Sequence, residues 1–399
     1  MEMILSIQLA TRVGRVKPSP TMAVTARAAE MRAAGHDIIG LGAGEPDFDT
    51  PEHISAAGIE AIRSGQTRYT AVDGTAALKE AIQNKFRRDS ALDYAPNQIL
   101  VSSGAKQSLY NLMVALLNEG DEVVIPAPYW VSYPDMALLA DATPVIVEAG
   151  AEQRFKITPE QLAGAMTPRT RLVVLNSPSN PTGTAYSKAE LQALGEVLRQ
   201  HPDVVITSDD IYEHILWTDA PFCNIAMACP DLVDRTVVVN GVSKAYAMTG
   251  WRIGYAAGPA TIIGAMKKIQ SQSTSNPASI SQAASVAALN GDQGIIAPMV
   301  EAFRARHDYV VSRLNAMNGV SCISGDGTFY AFPDISGAVE AIADVKTDTE
   351  LAEYLIGEAN VALVPGSAFG APGYARISFA TSMENLEKAM DRLEKVFNR

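Results

Sequence analysis

One stretch of the chain surrounds a lysine with uncharged, partly apolar residues. Lys244 lies in the run from Val242 to Arg252, and the only other charged residue of that run is Arg252 itself. An amine that is kept away from water has a lowered pKa, so it can be neutral and nucleophilic near neutral pH. Such a lysine can form a Schiff base with an aldehyde cofactor, and Ser243 and Arg252 could hold a phosphate group beside it. A lysine that extends its amine to solvent from the end of an element would give the same pattern.

Two further groups of polar residues follow short apolar runs that are typical of buried strands. Asn180 begins the sequence Asn-Pro-Thr-Gly after the run 172–175, and Asp209 follows the run 204–207 with Tyr212 three positions later. Ligands collect at the carboxyl ends of parallel strands. There a carboxylate could pair with a protonated pyridine nitrogen, and the tyrosine could reach a ring oxygen. A plain turn at Asn180 and an acidic helix cap at Asp209 are the simpler alternatives.

The segment 102–107 places small residues between a predicted strand and a predicted helix. The backbone N–H groups of Ser103, Gly104 and Ala105 could approach an anion there, and the N-terminus of a helix favours negative charge. The glycine spacing is too short for a Walker A loop. The glycine-rich segment 40–44 is not followed by a helical pattern, which argues against a dinucleotide-binding loop.

Two more candidate residues lie far apart in the chain. Trp130 belongs to an aromatic cluster, Tyr129–Tyr133, and such clusters are more often core than cofactor platforms. Arg376, in a predicted strand near the C-terminus, could clamp a carboxylate through two hydrogen bonds, although a surface ion pair is the alternative. The five histidines show no spacing typical of a metal site, and no metal is predicted.

Strand-like and helix-like patterns alternate through the middle of the chain. Short apolar, β-branched runs occur at 99–101, 122–126, 144–147, 172–175, 204–207, 236–239 and 253–256. Helical patterns separate most of them, as over 105–118 and after the capping box Ser187…Glu190. This alternation predicts an α/β fold with a parallel sheet that is covered on both faces.

The pattern changes after about residue 290. A helical run over 299–315 precedes strand-like segments near Cys322 and at 329–330, 361–364 and 375–378, with a helix over 351–358. Helices are expected to begin at Thr50-Pro51, at Thr158-Pro159 and at Thr381…Glu384. We therefore predict a smaller α+β domain after the large α/β domain.

The composition limits the classes of partner and compartment. The 399 residues carry 44 acidic and 32 basic side chains, a net charge of −12, and no long basic run, which argues against a nucleic-acid surface. Three cysteines fit neither a disulfide framework nor a zinc site, so a reducing cytoplasm is expected. No apolar run is long enough for a membrane helix. The apolar first ten residues precede their basic residues, unlike a secretory signal, and are expected to form an amphipathic arm.

Taken in order, these residues resemble those of class I aminotransferases, the fold-type-I pyridoxal-phosphate enzymes. More narrowly, the chain is similar to the bacterial I-gamma aspartate aminotransferases, many of which also accept prephenate. The resemblance extends over nearly the whole chain, from Val16-Lys17-Pro18-Ser19 through Gly44-Glu45-Pro46-Asp47 to Ala375-Arg376-Ile377-Ser378. It implies a large pyridoxal phosphate-binding domain over 46–290 with a mostly parallel, seven-stranded type of sheet. Residues 1–45 would form an N-terminal arm and the first part of the small domain, and residues 291–399 the rest of that domain.

The resemblance also assigns roles to individual residues. Lys244 would be the Schiff-base lysine and proton carrier, and Asp209 would keep the pyridine nitrogen protonated. The cofactor ring would be held by Trp130, Asn180 and Tyr212, and its phosphate by Ser103, Gly104, Ala105, Ser243, Arg252 and, from a partner subunit, Tyr69. The substrate would be bound by Gly44, Trp130, Asn180 and Arg376 at its α-carboxylate and by Lys106 at its distal carboxylate. Lys17 matches a lysine that is linked to acceptance of prephenate.

The function that this resemblance implies is pyridoxal 5'-phosphate-dependent transamination in a homodimer with shared active sites. We expect L-aspartate, or a similar acidic amino acid, as the donor and 2-oxoglutarate as the acceptor, with prephenate as a further acceptor that would yield arogenate. Two cations, Lys106 and Lys17, favour an acidic side chain. The family usually has glycine where Ala105 stands and alanine where Thr328 stands, and the second departure bears on substrate preference.

Other functions are compatible with the same scaffold. They include transamination of aromatic or branched-chain amino acids, C–S lysis, and a synthase reaction on a sulfonium amino acid. A more distant alternative is a transcription regulator built on an aminotransferase-like domain. We do not expect a regulator, because too few residues precede the first family motif to form a DNA-binding module.

Overall fold

The computed structural model describes residues 7–18 and 20–398 of the chain. Its strands are β1 Ile39–Gly40, β2 Ile99–Ser102, β3 Glu122–Ala127, β4 Thr143–Glu148, β5 Thr170–Asn176, β6 Val205–Asp209, β7 Thr236–Gly241, β8 Gly254–Ala257, β9 Tyr330–Ala331, β10 Val361–Ala362, β11 Val364–Pro365 and β12 Ala375–Ser378. Its α-helices are α1 Pro20–Ala33, α2 Glu52–Arg63, α3 Ala76–Ser90, α4 Ala105–Leu116, α5 Ser132–Leu139, α6 Pro159–Ala165, α7 Lys188–Arg199, α8 Ile225–Ala228, α9 Ala260–Ser271, α10 Ser279–Asn290, α11 Ala297–Leu314, α12 Ser336–Ala341, α13 Asp348–Glu358 and α14 Met383–Phe397.

Seven strands form the largest sheet, in the order β2-β8-β7-β6-β5-β3-β4. The strands β3, β4, β5, β6 and β7 run parallel to one another. The strand β8 runs antiparallel to both of its neighbours, β2 and β7. Strands such as β2 and β7 are buried along their whole length. Their continuous apolar runs therefore reflect cover on both faces, as the sequence pattern predicted.

Helices pack on the two faces of this sheet. On one face, α4, α5 and α9 bury apolar side chains against alternate residues of the strands. Leu112 of α4, for example, belongs to the same apolar cluster as Val123 and Val237. On the other face, α6, α7 and α8 do the same against Val124 and Val173. Successive residues of a strand thus pack into the apolar clusters on opposite faces of the sheet. This is why every residue along a strand can be apolar.

Local signals begin several of these helices as predicted. Ser187 and Glu190 form a capping box at α7, and Thr158 forms one with Gln161 at α6. The N-terminus of α7 is fixed in this way, and its buried leucines then recur at helical spacing: Leu191, Leu194 and Leu198.

The elements after residue 290 form smaller sheets with their own helices. The strands β11, β12 and β9 make a three-stranded antiparallel sheet, and β10 pairs in parallel with β1. The segment around β1, near the start of the chain, is thereby joined to the C-terminal part. The last helix, α14, turns one apolar face inward through Leu386, Met390 and Leu393.

Several local predictions were wrong in detail. The run 361–364 is two short strands, β10 and β11, which belong to different sheets, and Cys322 is next to a single β-bridge rather than in a strand. Thr50 does not cap α2, because its hydroxyl donates to the Ala247 carbonyl oxygen instead. The cap of α14 is Ser382, one residue after the predicted Thr381.

The N-terminal segment is described only from residue 7. The predicted arm falls partly on residues 1–6, which lie outside the described residues, and 7–10 are not helical. A short 3-10 helix follows at Thr11–Arg15, and the Arg15 guanidinium donates to Asp141 beyond the end of α5 (2.7 Å). In the described ranges, 7–18 and 20–398, no helix is long and apolar enough to cross a membrane.

Candidate active site

Most of the predicted site residues lie at one edge of the large sheet. Five strands (β2, β3, β5, β6 and β7) end at this edge, and the chain just beyond them carries Ser103–Lys106, Trp130, Asn180, Asp209–Tyr212 and Ser243–Lys244. The strand β8 runs the other way, so its first residue, Gly254, lies here and pairs with Ser102 and Gly241. This reversal brings Arg252, two residues before β8, to the same edge.

A cavity of about 470 Å³ opens at this edge. Its wall contains eleven of the predicted residues: Gly44, Ala105, Lys106, Trp130, Asn180, Asp209, Tyr212, Ser243, Lys244, Arg252 and Arg376. Met22 and Thr25 of α1 and Tyr330 of β9 form other parts of the wall. The cavity therefore lies between the large sheet, the first helix and the C-terminal elements, and its size suits a small-molecule ligand.

The Lys244 amine is enclosed by protein, although its side chain opens onto the cavity. It donates a hydrogen bond to the Gly44 carbonyl oxygen (2.5 Å) and lies 5.8 Å from the centre of the Phe329 ring. Burial lowers the pKa of Lys244 to about 8, and the positive charge of Arg376 acts in the same direction. A substantial fraction of the amine is therefore neutral in mildly alkaline solution, as a nucleophile requires.

Asp209 ends β6 and is buried. The Tyr133 hydroxyl donates a hydrogen bond to its carboxylate (2.5 Å). Burial raises the pKa of Asp209 to about 6, against the lowering effect of the Tyr133 hydrogen bond and the Lys244 charge. A buried carboxylate is costly unless a cation pairs with it, so this position suits a protonated ring nitrogen.

Tyr212 is held in place by the C-terminal elements. Its hydroxyl lies 3.0 Å from the hydroxyl of Tyr330, and the two rings meet nearly edge to face. Burial raises the pKa of Tyr212 well above its usual value, with the neighbouring Tyr330 adding to the effect. The phenol therefore stays protonated and can donate a hydrogen bond to a ligand oxygen.

Arg376 is buried on β12 with part of its donor set engaged. Its Nη1 donates to the Asn180 side-chain oxygen (2.9 Å) and its Nη2 to the Gly42 carbonyl oxygen (2.8 Å). The guanidinium stacks over the Tyr330 ring at 4.4 Å. Among the described residues, its buried Nε has no hydrogen-bond partner. Because Arg376 also lines the cavity, its guanidinium is suited to bind a ligand carboxylate.

The loop before α4 and Arg252 form the part of the cavity suited to an anion. Gly104 has φ of +90°, and a Cβ atom there would lie 2.4 Å from Nη2 of Arg252, so a side chain at this position would fill the space that the guanidinium occupies. Ala105 and Lys106 begin α4, whose first N–H groups lack acceptors within the helix. The Ser103 N–H donates to the Gln107 side-chain oxygen (2.6 Å). The group of Ser103 that can bind an anion is therefore its hydroxyl.

Lys106 and Trp130 form a second cationic region of the wall. The Lys106 amine lies 4.9 Å from the centre of the Trp130 ring. Burial lowers the pKa of Lys106, and the charge of Arg252 acts in the same direction. A cation that is partly desolvated in this way attracts a carboxylate more strongly than an exposed one.

Two predicted residues lie away from the site, whereas Ser103 and Gly104 lie in the loop next to the cavity without forming part of its wall. Lys17 is exposed and is not part of the cavity wall. Tyr69 is also outside the wall, and 92% of it is exposed in the single chain. The structure of one chain therefore does not bring either residue to the site.

Sequence reasoning missed several residues that shape the site. Tyr133 holds Asp209, Tyr330 holds Tyr212, and the Asn176 side-chain oxygen accepts from the Asn180 backbone (2.9 Å). A signal existed for Tyr133, because it belongs to the same aromatic cluster as Trp130, and the centres of the two rings lie 5.3 Å apart. No such local signal links Tyr330 to Tyr212, since 118 residues separate them.

Comparison with known proteins agrees with this site. A sequence model of the family described as aminotransferase class I and II matches residues 36–393. The chain belongs to this aminotransferase family. It is therefore an enzyme that uses pyridoxal phosphate, and the buried carboxylate, the anion-binding helix start and the enclosed lysine described above fit that cofactor.

Individual relatives are similar over almost the whole chain. An aspartate/prephenate aminotransferase from Nitrosomonas europaea is 57% identical over 397 residues, which are 98% of this chain and 100% of that protein. The crystal structure of the aspartate aminotransferase from Rhizobium meliloti superposes with a TM-score of 0.95 at 49% identity, covering 99% of this chain and all of that one. The aspartate aminotransferase from Thermus thermophilus with maleate gives a TM-score of 0.92 at 43% identity, covering 98% and 100%.

Proposed function

We propose that this aminotransferase transfers the amino group of L-aspartate, or a similar acidic amino acid, to 2-oxoglutarate. The observation that carries the proposal is that the cavity wall holds two cationic groups besides Lys244 and the proposed phosphate ligand Arg252. These are Arg376 from β12 and Lys106 from α4. A dicarboxylic substrate offers one carboxylate to each. An apolar side chain would leave Lys106 desolvated and unpaired, which is unfavourable.

The names of the relatives support the same substrate class. Relatives are named aspartate aminotransferase or aspartate/prephenate aminotransferase, and the Thermus thermophilus structure was solved with maleate, which is a dicarboxylate. Prephenate also carries two carboxylates, so we include it as a second acceptor. A role for Lys17 in accepting it would require the N-terminal segment to approach the cavity, because Lys17 lies outside the wall.

The roles of the residues follow from their places in the cavity. When bound, pyridoxal phosphate supplies an aldehyde that takes up the amino group and a ring that withdraws electrons from the substrate. Lys244 would move a proton from the substrate α-carbon, since its lowered pKa makes the neutral amine available. Asp209 would hold a proton at the ring nitrogen, and Tyr212 would donate to the ring oxygen.

Other residues would bind and orient. Arg376 would hold the α-carboxylate while Asn180 keeps its guanidinium in place. Ser243, Arg252 and the start of α4 would hold the phosphate. Trp130 would cover the ring and, beside it, Lys106 would bind the distal carboxylate. Orientation of the α-carbon over the lysine determines which bond reacts.

We also propose a cytoplasmic homodimer and the domain boundaries 1–45, 46–290 and 291–399. Exposed apolar side chains support the dimer, since Ile7, Ile59, Ile62 and Tyr69 are each at least half exposed in the single chain. The free state of all three cysteines supports a reducing compartment. The pairing of β1 with β10 supports the assignment of the first residues to the small domain.

The test is a half-reaction measured on the purified holoenzyme. Aspartate added without a 2-oxo acid should convert the cofactor's visible absorbance band, and 2-oxoglutarate or prephenate should restore it. Phenylalanine should react more slowly. Lys244→Ala is expected to abolish the visible band of the parent, and an unchanged spectrum in that variant would overturn the role of Lys244.

The substrate class is tested with Lys106→Ala. Loss of one charged hydrogen bond should lower kcat/KM for aspartate roughly 10- to 100-fold and leave that for phenylalanine nearly unchanged. Equal losses on both substrates would remove the role of Lys106. Faster turnover of phenylalanine than of aspartate by the parent enzyme would favour an aromatic aminotransferase instead.

A further inference from the structure

A glutamine on α9 has every hydrogen-bonding position of its side chain occupied. Gln270 is fully buried. Its Nε2 donates to the carbonyl oxygens of Val72 and Val101, both at 2.8 Å. Its Oε1 accepts from the Ser102 hydroxyl (2.8 Å) and from the Asn111 amide (3.0 Å). Two donated and two accepted bonds are the full capacity of a carboxamide.

The four partners belong to three separate segments. Val101 and Ser102 end β2, Asn111 lies in the middle of α4, and Val72 lies in the connection between α2 and α3. Asn111 and Ser102 are themselves fully buried. Gln270 therefore joins a strand, a helix and a connection inside the protein, where each of these polar groups would be costly to leave unpaired.

These segments lead directly to the anion-binding part of the cavity. Ser102 is followed by Ser103, Gly104 and Ala105, and the Gly104 N–H donates back to the Ser102 carbonyl oxygen (2.8 Å). Asn111 lies on α4, whose first turn begins at Ala105. The position of Ser102 relative to α4 thus determines where the N–H groups at the helix start point.

We propose that Gln270 is a positioning residue for the cofactor's phosphate. By holding Ser102 and α4 at a fixed distance, it keeps the loop Ser103–Ala105 in the shape that receives the anion beside Arg252. It makes no contact with the cavity itself, because it is not part of the cavity wall. The inference rests on the proposed binding of the phosphate at this loop.

The experiment compares two ligands that differ only in the phosphate. Gln270→Met keeps the length of the side chain and removes its hydrogen bonds. The holoenzyme is stripped of cofactor, and the dissociation constants of pyridoxal 5'-phosphate and pyridoxal are measured by absorbance. We expect the affinity for pyridoxal 5'-phosphate to fall roughly tenfold and that for pyridoxal to stay within about twofold, because only the phosphate contacts the displaced loop.

A matched control is Gln83→Met. The Gln83 side chain on α3 also donates to a backbone oxygen, that of Tyr94 (2.6 Å), which lies outside the phosphate loop. It should lower stability without changing the ratio of the two affinities. An equal loss for both ligands in Gln270→Met, or no loss for either, would overturn the inference.

Two further variants keep the result interpretable. If Gln270→Met does not fold, Ser102→Ala removes only the bond nearest the loop and should lower the affinity for pyridoxal 5'-phosphate in the same selective way; an unchanged ratio would overturn the inference. Arg252→Leu tests the site assignment itself. If Arg252→Leu leaves the preference for the phosphorylated ligand intact, the proposed phosphate site is wrong. If Arg252→Leu loses this preference but Gln270→Met keeps it, the phosphate site stands and only the role of Gln270 is overturned.

Discussion

At the scale of single residues, burial shifts the pKa values of the two central groups in opposite directions. The pKa of Lys244 is lowered to about 8 and that of Asp209 is raised to about 6, and burial is the largest cause in both cases. Each shift disfavours the charged form of the free side chain. A bound cofactor can offset both costs, because its aldehyde takes up the amine and its ring nitrogen offers Asp209 a cation.

This electrostatic cost can be measured with Lys244→Met in the cofactor-free protein. Folding lowers the pKa of Lys244 from 10.5 to about 8, so the protonated amine destabilises the fold below about pH 8 and the cost disappears as the pH rises towards 10.5. The variant should be more stable than the parent at about pH 7, by on the order of 3 kcal/mol, and most of the gain should be lost at about pH 10. Urea unfolding across this pH range checks it.

The control for that measurement is Lys268→Met, since Lys268 is an exposed lysine of α9. It should show no comparable gain at about pH 7. A gain in Lys244→Met that persisted unchanged at high pH would have to come from packing and would contradict the electrostatic explanation.

At the scale of elements, the reversed strand β8 determines the shape of the phosphate site. Gly254, its first residue, packs directly under the start of α4, and a Cβ atom there would lie 2.1 Å from the Ala105 nitrogen and 2.4 Å from the Gly104 carbonyl carbon. Both neighbours are backbone atoms, so neither can move aside as a flexible side chain would. Strand, loop and helix therefore have one compatible arrangement.

Gly254→Ala is expected to displace the start of α4. Overpacking of this kind costs about 1–3 kcal/mol of stability, and we expect a loss of cofactor affinity of roughly tenfold or more in addition. Thermal unfolding and titration with pyridoxal 5'-phosphate measure the two effects. Gly264→Ala on α9 is the matched control, because nothing lies within 4 Å of its added Cβ; it should be neutral or stabilise by about 0.5–1 kcal/mol. Normal cofactor affinity in Gly254→Ala would show that the loop tolerates the shift.

At the scale of the whole molecule, the single chain leaves one predicted cofactor contact unused. Tyr69 is 92% exposed and is not part of its own cavity wall, yet the hydroxyl of Thr70 beside it accepts a hydrogen bond from the buried Gln282 side chain (3.0 Å). An exposed aromatic residue on an ordered segment is typical of an interface. A second copy of the chain is the partner that the proposed dimer requires.

Mixing two inactive variants tests whether Tyr69 acts across subunits. Tyr69→Ala retains Lys244, and Lys244→Ala retains Tyr69. In a mixed dimer, one of the two sites would then contain its own Lys244 and the Tyr69 of the neighbouring chain, so unfolding and refolding the mixture should restore activity. Each variant refolded alone is the control. If the mixture stays at the level of Tyr69→Ala alone, Tyr69 serves its own chain or has no role.

Much of the fold was predictable because its signals are local. Apolar runs marked the strands of the large sheet, and the capping boxes at Thr158 and Ser187 identified the exact residues that cap two helices. The signals were weaker where one run served two sheets, as at 361–364, or where a hydroxyl had a distant partner, as at Thr50. A pattern of neighbours carries no information about such partners.

For the site, the sequence alone determined which side chains follow the strands and what chemistry they can perform. Lys244, Asp209 and Asn180 were identifiable from their neighbours and from the family resemblance. The tertiary structure decided their partners: Tyr133 for Asp209, Gly44 for Lys244 and Arg376 for Asn180, across 76, 200 and 196 residues. These contacts depend on the order of the strands and on the packing of the segment after β1 and of β12 against the edge of the sheet. Such long-range pairing determines burial, and burial shifts the pKa values on which the chemistry depends.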